Sequence, residues 1–355
     1  MRHARFVSDV TTVDPDDLLR DLLFGFLGTQ LLYVIAELGI ADLIEAEPEP
    51  IDVLAARTGA VTDVLYRFLR ALASLGVFEE VEGPAFAHNP ASLLLRRDAE
   101  SGWRDFAVVY GSMYRAFAEA LPAVRNGENM FERVAGSDWW SWLDQHPELS
   151  AAFNRAMQAG AEARLGALSA VPWEDVTRVV DVGGGNGTLI IGLLEQHPHL
   201  HGVIFDLPEV ATAASARLAE TSIGERCTVE AGSFFERVPV GADVYLLAKV
   251  LHDWDDAGAV DILKSVRAAA SSESRLLVLD SVVTTDARSQ GAKVLDLVML
   301  ALVNGRERTS TQWTRLLAAG GWAPEAIQDG LIDARPARNG ELSTGTTGFE
   351  PATAN

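Results

Sequence analysis

Cysteine is nearly absent. Cys227 is the single thiol in 355 residues, so no intramolecular disulfide can form, and metal clusters that need several thiolates are excluded. The expected role for that thiol is a small buried apolar one. Positive charge is scarce too: 29 Lys and Arg stand against 50 Asp and Glu, a formal net charge of -21. Such an excess repels phosphate backbones and anionic lipid heads at long range, which makes nucleic acid and membrane surfaces poor partners. The longest apolar stretch, "LLFGFLGTQLLYVIA" (22–36), has 15 uncharged residues between Asp21 and Glu37, short of the roughly 18 expected of a spanning helix. The opening "MRHARFVSDVTTVDPDD" has no apolar signal-peptide core, and no internal repeat is present. A cytoplasmic globular protein is expected, with 48% hydrophobic residues to fill its core.

From Pro15 to about Arg97 the pattern is helical with short turns. Leu22, Leu23, Phe26, Leu27 and the run Leu31 to Ala36 form an apolar face broad enough to pack on something large, such as another subunit. "PIDVLAARTGAVTDVLYRFLRALASLGVFEEVEGPAFAHN" then reads as helix, Gly turn, helix and two short strands around Gly83-Pro84, a winged-helix pattern. DNA binding is the functional reading of that pattern. It is disfavoured because the second helix offers only Arg67 and Arg70, and the wing carries Glu79, Glu80 and Glu82. Residues 101–170 read as helices rich in bulky side chains, from Trp103 to Met157, of which most belong to a core and only some line a pocket.

At Arg178 the pattern changes. Short apolar runs, "RVVDVG", "HGVIFD", "CTVEAG", "ADVYLLA" and "SRLLVLD", alternate with helices, the signature of a parallel sheet covered on both faces. After Arg338 a polar, Gly/Thr-rich tail is expected to be disordered. The expected division is an N-terminal helical, winged-helix-like domain (1–100), a helical linker (101–170), an α/β Rossmann-like domain (171–338) and the tail (339–355).

"VVDVGGGNGT" (179–188) is strand, glycine turn and helix start. Gly183, Gly185 and Gly187 allow a tight turn and close approach of the backbone to a ligand. The spacing G-x-G-x-G departs from the dinucleotide fingerprint G-x-G-x-x-G, and Asp181 would sit badly beside a pyrophosphate. A carboxylate there suits a cationic group such as an amino-acid ammonium. Asp206, 19 residues after Gly187, ends the second strand, where it can accept both hydroxyls of a ribose. Ser233 and Phe234 follow the third strand, a polar side chain and an aromatic suited to a purine edge and face. "HDWDD" (252–256) follows the fourth, placing His252 at the same ligand-binding edge. Asp253, Asp255 and Asp256 are expected to cap and charge-match the helix from about Ala257, with Trp254 packed over the strand end.

In this order and spacing, "VVDVGGGNG", "FDLPEV", "GSFFERVP", "KVLHDWDD", "LLVLDSVV", "DLVMLALVNGRERT" and "QWTRLLAAGGW" resemble the class I S-adenosylmethionine-dependent O-methyltransferases. The likeness is to the family shared by plant phenol methyltransferases, the animal hydroxyindole enzyme and bacterial polyketide-tailoring enzymes, over roughly residues 15–322. The resemblance implies a dimerisation region ahead of a Rossmann-like domain, a homodimer, and S-adenosylmethionine as cofactor with S-adenosylhomocysteine as its product; the histidines outside the site lack ligand company, and no metal is expected. It places the methionine end near Asp181, Gly183 and Gly185, the ribose at Asp206 beside Leu207, and adenine at Ser233 and Phe234, with Lys249 also at the cofactor. His252 corresponds to the general base, flanked by Asp280 and Glu307. Phe153 and Met157 correspond to the pair that sandwiches the acceptor ring, with Trp103, Met299 and Asn304 as further pocket residues. Two departures stand out: Ser233 replaces the usual aspartate, and "APEAIQDGLIDARPARNG" behind Trp322 is shorter than the family's closing pair of strands, with "GLIDARP" as the expected last strand.

Methyl transfer from a sulfonium needs a nucleophilic oxygen held in line, and positioning supplies several kcal/mol. A phenol of pKa ~10 is about one part in a thousand ionised at pH 7, so a nearby base helps directly. Neutral imidazole suits that task, with Asp280 and Glu307 orienting the ring and stabilising the imidazolium. The expected activity is O-methylation of a phenolic, polyketide-type natural product. The alternatives are a changed reaction on the same fold, hydroxylation or decarboxylation, and a winged-helix ligand-sensing regulator. A nicotinamide dehydrogenase is opposed by G-x-G-x-G and Asp181. "HPHLH" (197–201) lacks a carboxylate partner and reads as a helix-to-strand turn rather than a metal tract.

Overall fold

The structure, a computed structural model, describes residues 14–286, 289–328 and 330–338. The tail from 339 to 355 lies outside the described residues. Two compact units divide the chain between Gly160 and Ala161. The segment 101–170 is thereby shared: its helices through Gln158 fall in the first unit, and the helix Ala161–Leu168 falls in the second.

The first unit begins with the helix Pro15–Glu37, started by Asp14, whose carboxylate accepts the Asp16 N–H at 2.9 Å, and by Pro15, which fixes φ where no donor is needed. At 23 residues this helix is long and apolar enough, by length and composition alone, to cross a membrane. The added length is charged, because Asp16, Asp17 and Arg20 lie beyond Asp21, so the uncharged stretch remains the 15 residues between Asp21 and Glu37. Leu19, Leu22, Leu23 and Phe24 on it are 58–72% exposed. Strand β1 (Glu49–Pro50), the helices Ile51–Thr58 and Thr62–Ser74, and the hairpin β2 (Glu79–Val81) and β3 (Ala85–Ala87) follow, with sheet order β1-β3-β2. They close over a core of Ile35, Ile40, Leu54, Leu69, Phe78 and Phe86. Five further helices from Trp103 to Gln158 complete the unit.

The second unit is built on strands β4 (Arg178–Val182), β5 (His201–Asp206), β6 (Cys227–Ala231), β7 (Val244–Ala248) and β8 (Arg275–Leu279). All five are parallel. Their apolar runs are continuous because helices cover both faces. Alternate residues serve opposite layers: Val180, Val203, Tyr245 and Val278 pack on one side, and Val179, Ile204, Leu246 and Leu277 on the other, where Cys227 is buried as well. Two short strands, β9 (Val282–Val283) and β10 (Arg308–Thr309), pair separately. The sheet closes with β11 (Trp322–Gln328) and β12 (Leu331–Pro336), giving the order β11-β12-β8-β7-β4-β5-β6. Both closing strands are therefore present, which corrects the expectation of a shortened edge. Arg275 anchors β12 to β8 through a double hydrogen bond to Asp333, 2.7 and 2.5 Å. The chain order reverses between β4 and β7, so the loops after these two strands flank the crevice where such sheets bind ligands.

Candidate active site

After β4 the chain turns through Gly183, Gly185 and Gly187, all at positive φ (72°, 58° and 79°), a region L side chains avoid. Space is short as well: a Cβ on Gly187 would lie 2.3 Å from Ile204 Cδ1. Behind the turn Asp181 is 1% exposed, and neither of its oxygens has a hydrogen-bond partner among the described residues. Burial pushes its carboxyl up to about 7, with the charge of Asp206 adding and Arg164 opposing. Asp206 accepts the N–H of Gly185 at 2.8 Å and of Leu207 at 2.7 Å, which ties the end of β5 to the glycine turn. Burial raises its pKa, and these two donors oppose the rise. Leu207 is half exposed. Phe234 packs edge-on to Trp254, 6.0 Å between centroids, and Ser233 Oγ accepts the Phe235 N–H at 3.3 Å. The glycine turn, Asp206 and the residues after β6 thus lie along one edge of the sheet.

Beyond β7 lies the second cluster. His252, 7% exposed, has Nδ1 2.8 Å from Glu307 Oε1, to which it donates, and 3.9 Å from Asp280 Oδ1. Asp280 and Glu307 are 1% and 5% exposed. Burial alone would lower the histidine pKa; Asp253, Asp280 and the Glu307 hydrogen bond outweigh it and raise the value to about 9, with Lys249 opposing. Lys249, itself at φ 57°, sets Nζ 3.1 Å from Ser281 Oγ and 3.6 Å from Asp280 Oδ1. Its side chain is thus the counter-ion of Asp280. The three residues matched to the base and its flanking acids do meet.

Asp253 does not cap the following helix. The cap of Asp256–Ala269 is Asp255, which accepts the Gly258 N–H at 2.8 Å, whereas Asp253 turns to His252 Nε2 at 3.4 Å. Asp256 instead binds Arg306 and Arg308, 2.9 Å each. These contacts belong to a clamp that sequence patterning does not reveal. Arg308, 0% exposed, also donates to the carbonyls of Leu251 and Trp254, 2.8 Å each, and the Arg306 N–H donates to His252 O at 2.8 Å. Gly305 makes the approach possible, since a Cβ there would lie 2.1 Å from His252 O. Met299 and Asn304 lead into this clamp: Met299 O accepts the Gly305 N–H at 3.2 Å, and Asn304 ends the helix Gln290–Val303 at φ 56°.

The remaining expected pocket residues lie in the first unit. Phe153, on the helix Pro147–Gln158, packs edge-on to Trp139 and Trp140 at 5.8 and 5.9 Å, and Met157 lies one turn further, 40% exposed. Arg155 holds this helix to Asp105 through two bonds, 3.0 and 2.7 Å. Trp103 is 57% exposed. Of the aromatic-rich stretch, Phe131 and Trp139 are buried while Tyr110, Tyr114, Phe117 and Trp140 remain partly open. In "HPHLH", His197 caps a helix end and His199 Nε2 contacts Trp173 O at 2.9 Å. Among the described residues no cluster of His, Cys, Asp and Glu could hold a metal ion.

Residues 114–323 match the family model of the O-methyltransferase domain, and residues 20–98 match that of the O-methyltransferase dimerisation domain. The phenazine O-methyltransferase PhzM of Lysobacter antibioticus is 39% identical over 332 residues, 91% of this chain and 97% of that protein. The crystal structure of LaPhzM superposes with a TM-score of 0.87 at 38% identity, covering 91% of this chain and 100% of that one. An O-methyltransferase from neocarzinostatin biosynthesis, solved with S-adenosylmethionine and 2-hydroxy-5-methyl naphthoic acid, gives 0.78 at 32% identity over 88% of this chain and 96% of its own.

Proposed function

The chain belongs to the S-adenosylmethionine-dependent O-methyltransferase family, and from that premise we propose that it methylates a phenolic hydroxyl of an aromatic, polyketide-type natural product, with His252 as general base. The observation that carries this reading is the buried His252, held at Nδ1 by Glu307 at 2.8 Å on the ligand edge that the glycine turn also faces. The cofactor's residues fit as well. The two unpartnered oxygens of Asp181 suit an ammonium group, Gly183 and Gly185 let backbone approach the methionine end, and Asp206 has lone pairs left for ribose hydroxyls after its two backbone donors. Ser233 and Phe234 stand at the adenine end, with Leu207 as apolar surface. S-adenosylmethionine, when bound, supplies an electrophilic methyl group and departs as S-adenosylhomocysteine. The protein's part is to orient the acceptor oxygen and to receive its proton, a task in which Asp280 and Glu307 fix the imidazole and stabilise its charge. Phe153, Met157, Trp103, Met299 and Asn304 are assigned to the acceptor ring.

The dimerisation-domain match spans most of the helix whose Leu22, Leu23 and Phe24 stay exposed in a single chain, and we place a second copy there. A net charge of -21 fits a cytoplasmic enzyme with a small-molecule acceptor, kept off nucleic acid and anionic membranes.

Calorimetry tests the cofactor half directly. Asp206→Ala is expected to weaken S-adenosylhomocysteine binding by about 10- to 100-fold, the loss of charge-assisted hydrogen bonds worth roughly 1.5–3 kcal/mol; an unchanged Kd would refute the ribose assignment. Asp181 gives a pH signature. Its folded pKa, about 7, lies above the unfolded value near 3.9, so its contribution to stability is complete below ~4 and lost as pH rises through 7. A bound ammonium draws the carboxyl to its charged form. Cofactor binding should therefore release a proton below neutrality, with affinity rising up to about pH 7 and levelling above it. Equal binding enthalpies in buffers of different ionisation enthalpy would exclude that release.

A further inference from the structure

Glu307 holds the imidazole of His252, yet little on its own side chain fixes Glu307. Its Oε1 accepts from Nδ1 at 2.8 Å, and its Oε2 is buried without a partner among the described residues. A carboxylate with one such bond takes its aim from the main chain that carries it. That main chain is the strap from Asn304 to Arg308, and it is tied on two sides. On one side it grips the His252 turn, through the Arg306 N–H at His252 O, 2.8 Å, and the Arg308 guanidinium at Leu251 O and Trp254 O. On the other stands the helix Gln290–Val303, whose Asp296 accepts the Glu307 N–H itself, at 2.7 Å.

Asp296 opens the stretch "DLVMLALVNGRERT" and sits midway along its helix, where no cap is needed. Aspartate is a poor helix former there, because its side chain competes for backbone donors. This one reaches across 11 residues to a donor outside the helix. Met299, assigned to the acceptor ring, follows three residues later, and residues three apart share a helix face. The face that carries Met299 therefore also carries the carboxylate that ties down Glu307. Val298, Ala301 and Leu302 are buried on another side of the helix, so its packing does not depend on Asp296.

We propose that Asp296 is a further positioning residue: through its bond to the Glu307 N–H it sets the carboxylate that holds His252 Nδ1, and it joins the helix assigned to the acceptor to the base that deprotonates it. This rests on the general-base reading and deepens it. With the bond in place Glu307 keeps a proton on Nδ1, which leaves Nε2 to the acceptor hydroxyl. Without it the strap keeps its bonds to the His252 turn but loses the helix, and the carboxylate is free to swing from Nδ1. The role asks for an oxygen at one place rather than for a charge. Asparagine presents that oxygen as an amide, whereas glutamate keeps the charge and carries its oxygens one methylene further.

The test compares Asp296→Asn, Asp296→Ala and Asp296→Glu with the parent chain, with His252→Gln alongside, in methylation of dihydroxynaphthalene and in binding of S-adenosylhomocysteine. Alanine is expected to lower kcat about 10- to 100-fold, the scale of a misplaced catalytic group, while cofactor affinity stays as it was. Asparagine should recover most of the rate, and glutamate should not. A parent-like kcat in Asp296→Ala, or a glutamate variant that matches the asparagine one, overturns the proposal. So does a kcat loss accompanied by an equal loss of cofactor binding, the mark of a damaged fold. If His252→Gln is inactive while Asp296→Ala is not, only this inference fails; if His252→Gln keeps the full rate, the general-base reading fails with it. Proton NMR of the imidazole needs no acceptor and covers poor turnover. The parent should show a downfield, exchange-protected Nδ1 proton, identified by its absence in His252→Gln, which persists in Asp296→Asn and shifts or vanishes in Asp296→Ala and Asp296→Glu. A parent without this proton, or a resonance unchanged in all three variants, refutes the role.

Discussion

Replacing His252 with alanine should lower kcat for a phenolic acceptor by about 10²- to 10⁴-fold, the usual worth of a positioned base, while S-adenosylhomocysteine binds as before. The separation is expected because none of the hydrogen bonds at the glycine turn and Asp206 passes through the imidazole. Removing the ring also changes the pH profile of stability. The folded pKa of His252, about 9, exceeds the unfolded value near 6.5, so its stabilisation is fully present below ~6.5 and disappears as pH rises through 9. The alanine variant should lose stability against urea at mildly acid pH and approach the parent above the folded pKa. A loss of the same size at both ends would mean that packing, rather than charge, is what the ring contributes.

Arg308→Met should cost about 3–5 kcal/mol, the scale for breaking a buried ion pair by removing one partner. The guanidinium is fully buried, lies 5.5 Å from the centroid of Trp313, and binds one carboxylate and two carbonyls of the His252 turn. Without it Asp256 is left with its bond to Arg306 among the described residues, and the carbonyls of Leu251 and Trp254 lose their side-chain donor. Lysine cannot restore three divergent bonds from one ammonium at the same reach, so Arg308→Lys should recover less than half of the loss. Urea melts should show a lower midpoint at an unchanged slope. Activity should fall as well, because the same bonds hold the histidine turn. A destabilisation below about 1 kcal/mol would place Arg308 among ordinary surface cations.

The parallel sheet is legible in the sequence because strands buried on both faces leave continuous apolar runs, and "RVVDV" through "RLLVL" could hardly be anything else between helices. The candidate site is legible for a related reason. Asp181 lies one residue before the end of β4, and Asp206, His252 and Asp280 end or follow their strands, so strand ends alone place them on one edge. What is hidden is tertiary. Arg308 meets Asp256 across 52 residues, and no periodicity announces such a pair. Three aspartates at a helix start suggest a cap at Asp253, yet a helix start has one N-cap, and Asp255 fills it. The closing hairpin is obscured by Pro324 and by the register shift between Pro324 and Ala326, which break the alternation a strand normally shows.

During synthesis β12 emerges last of the seven sheet strands, yet its place is interior, between β8 and β11. Until Pro336 has left the ribosome, β8 presents an unpaired edge of Leu276, Leu277 and Val278, the residues β12 later pairs. An uncovered apolar edge is a template for another chain, and a nascent sheet of this kind stays open while the slow non-local pairing is completed. Chains halted between β8 and β12 therefore carry an open apolar sheet edge that the finished fold covers.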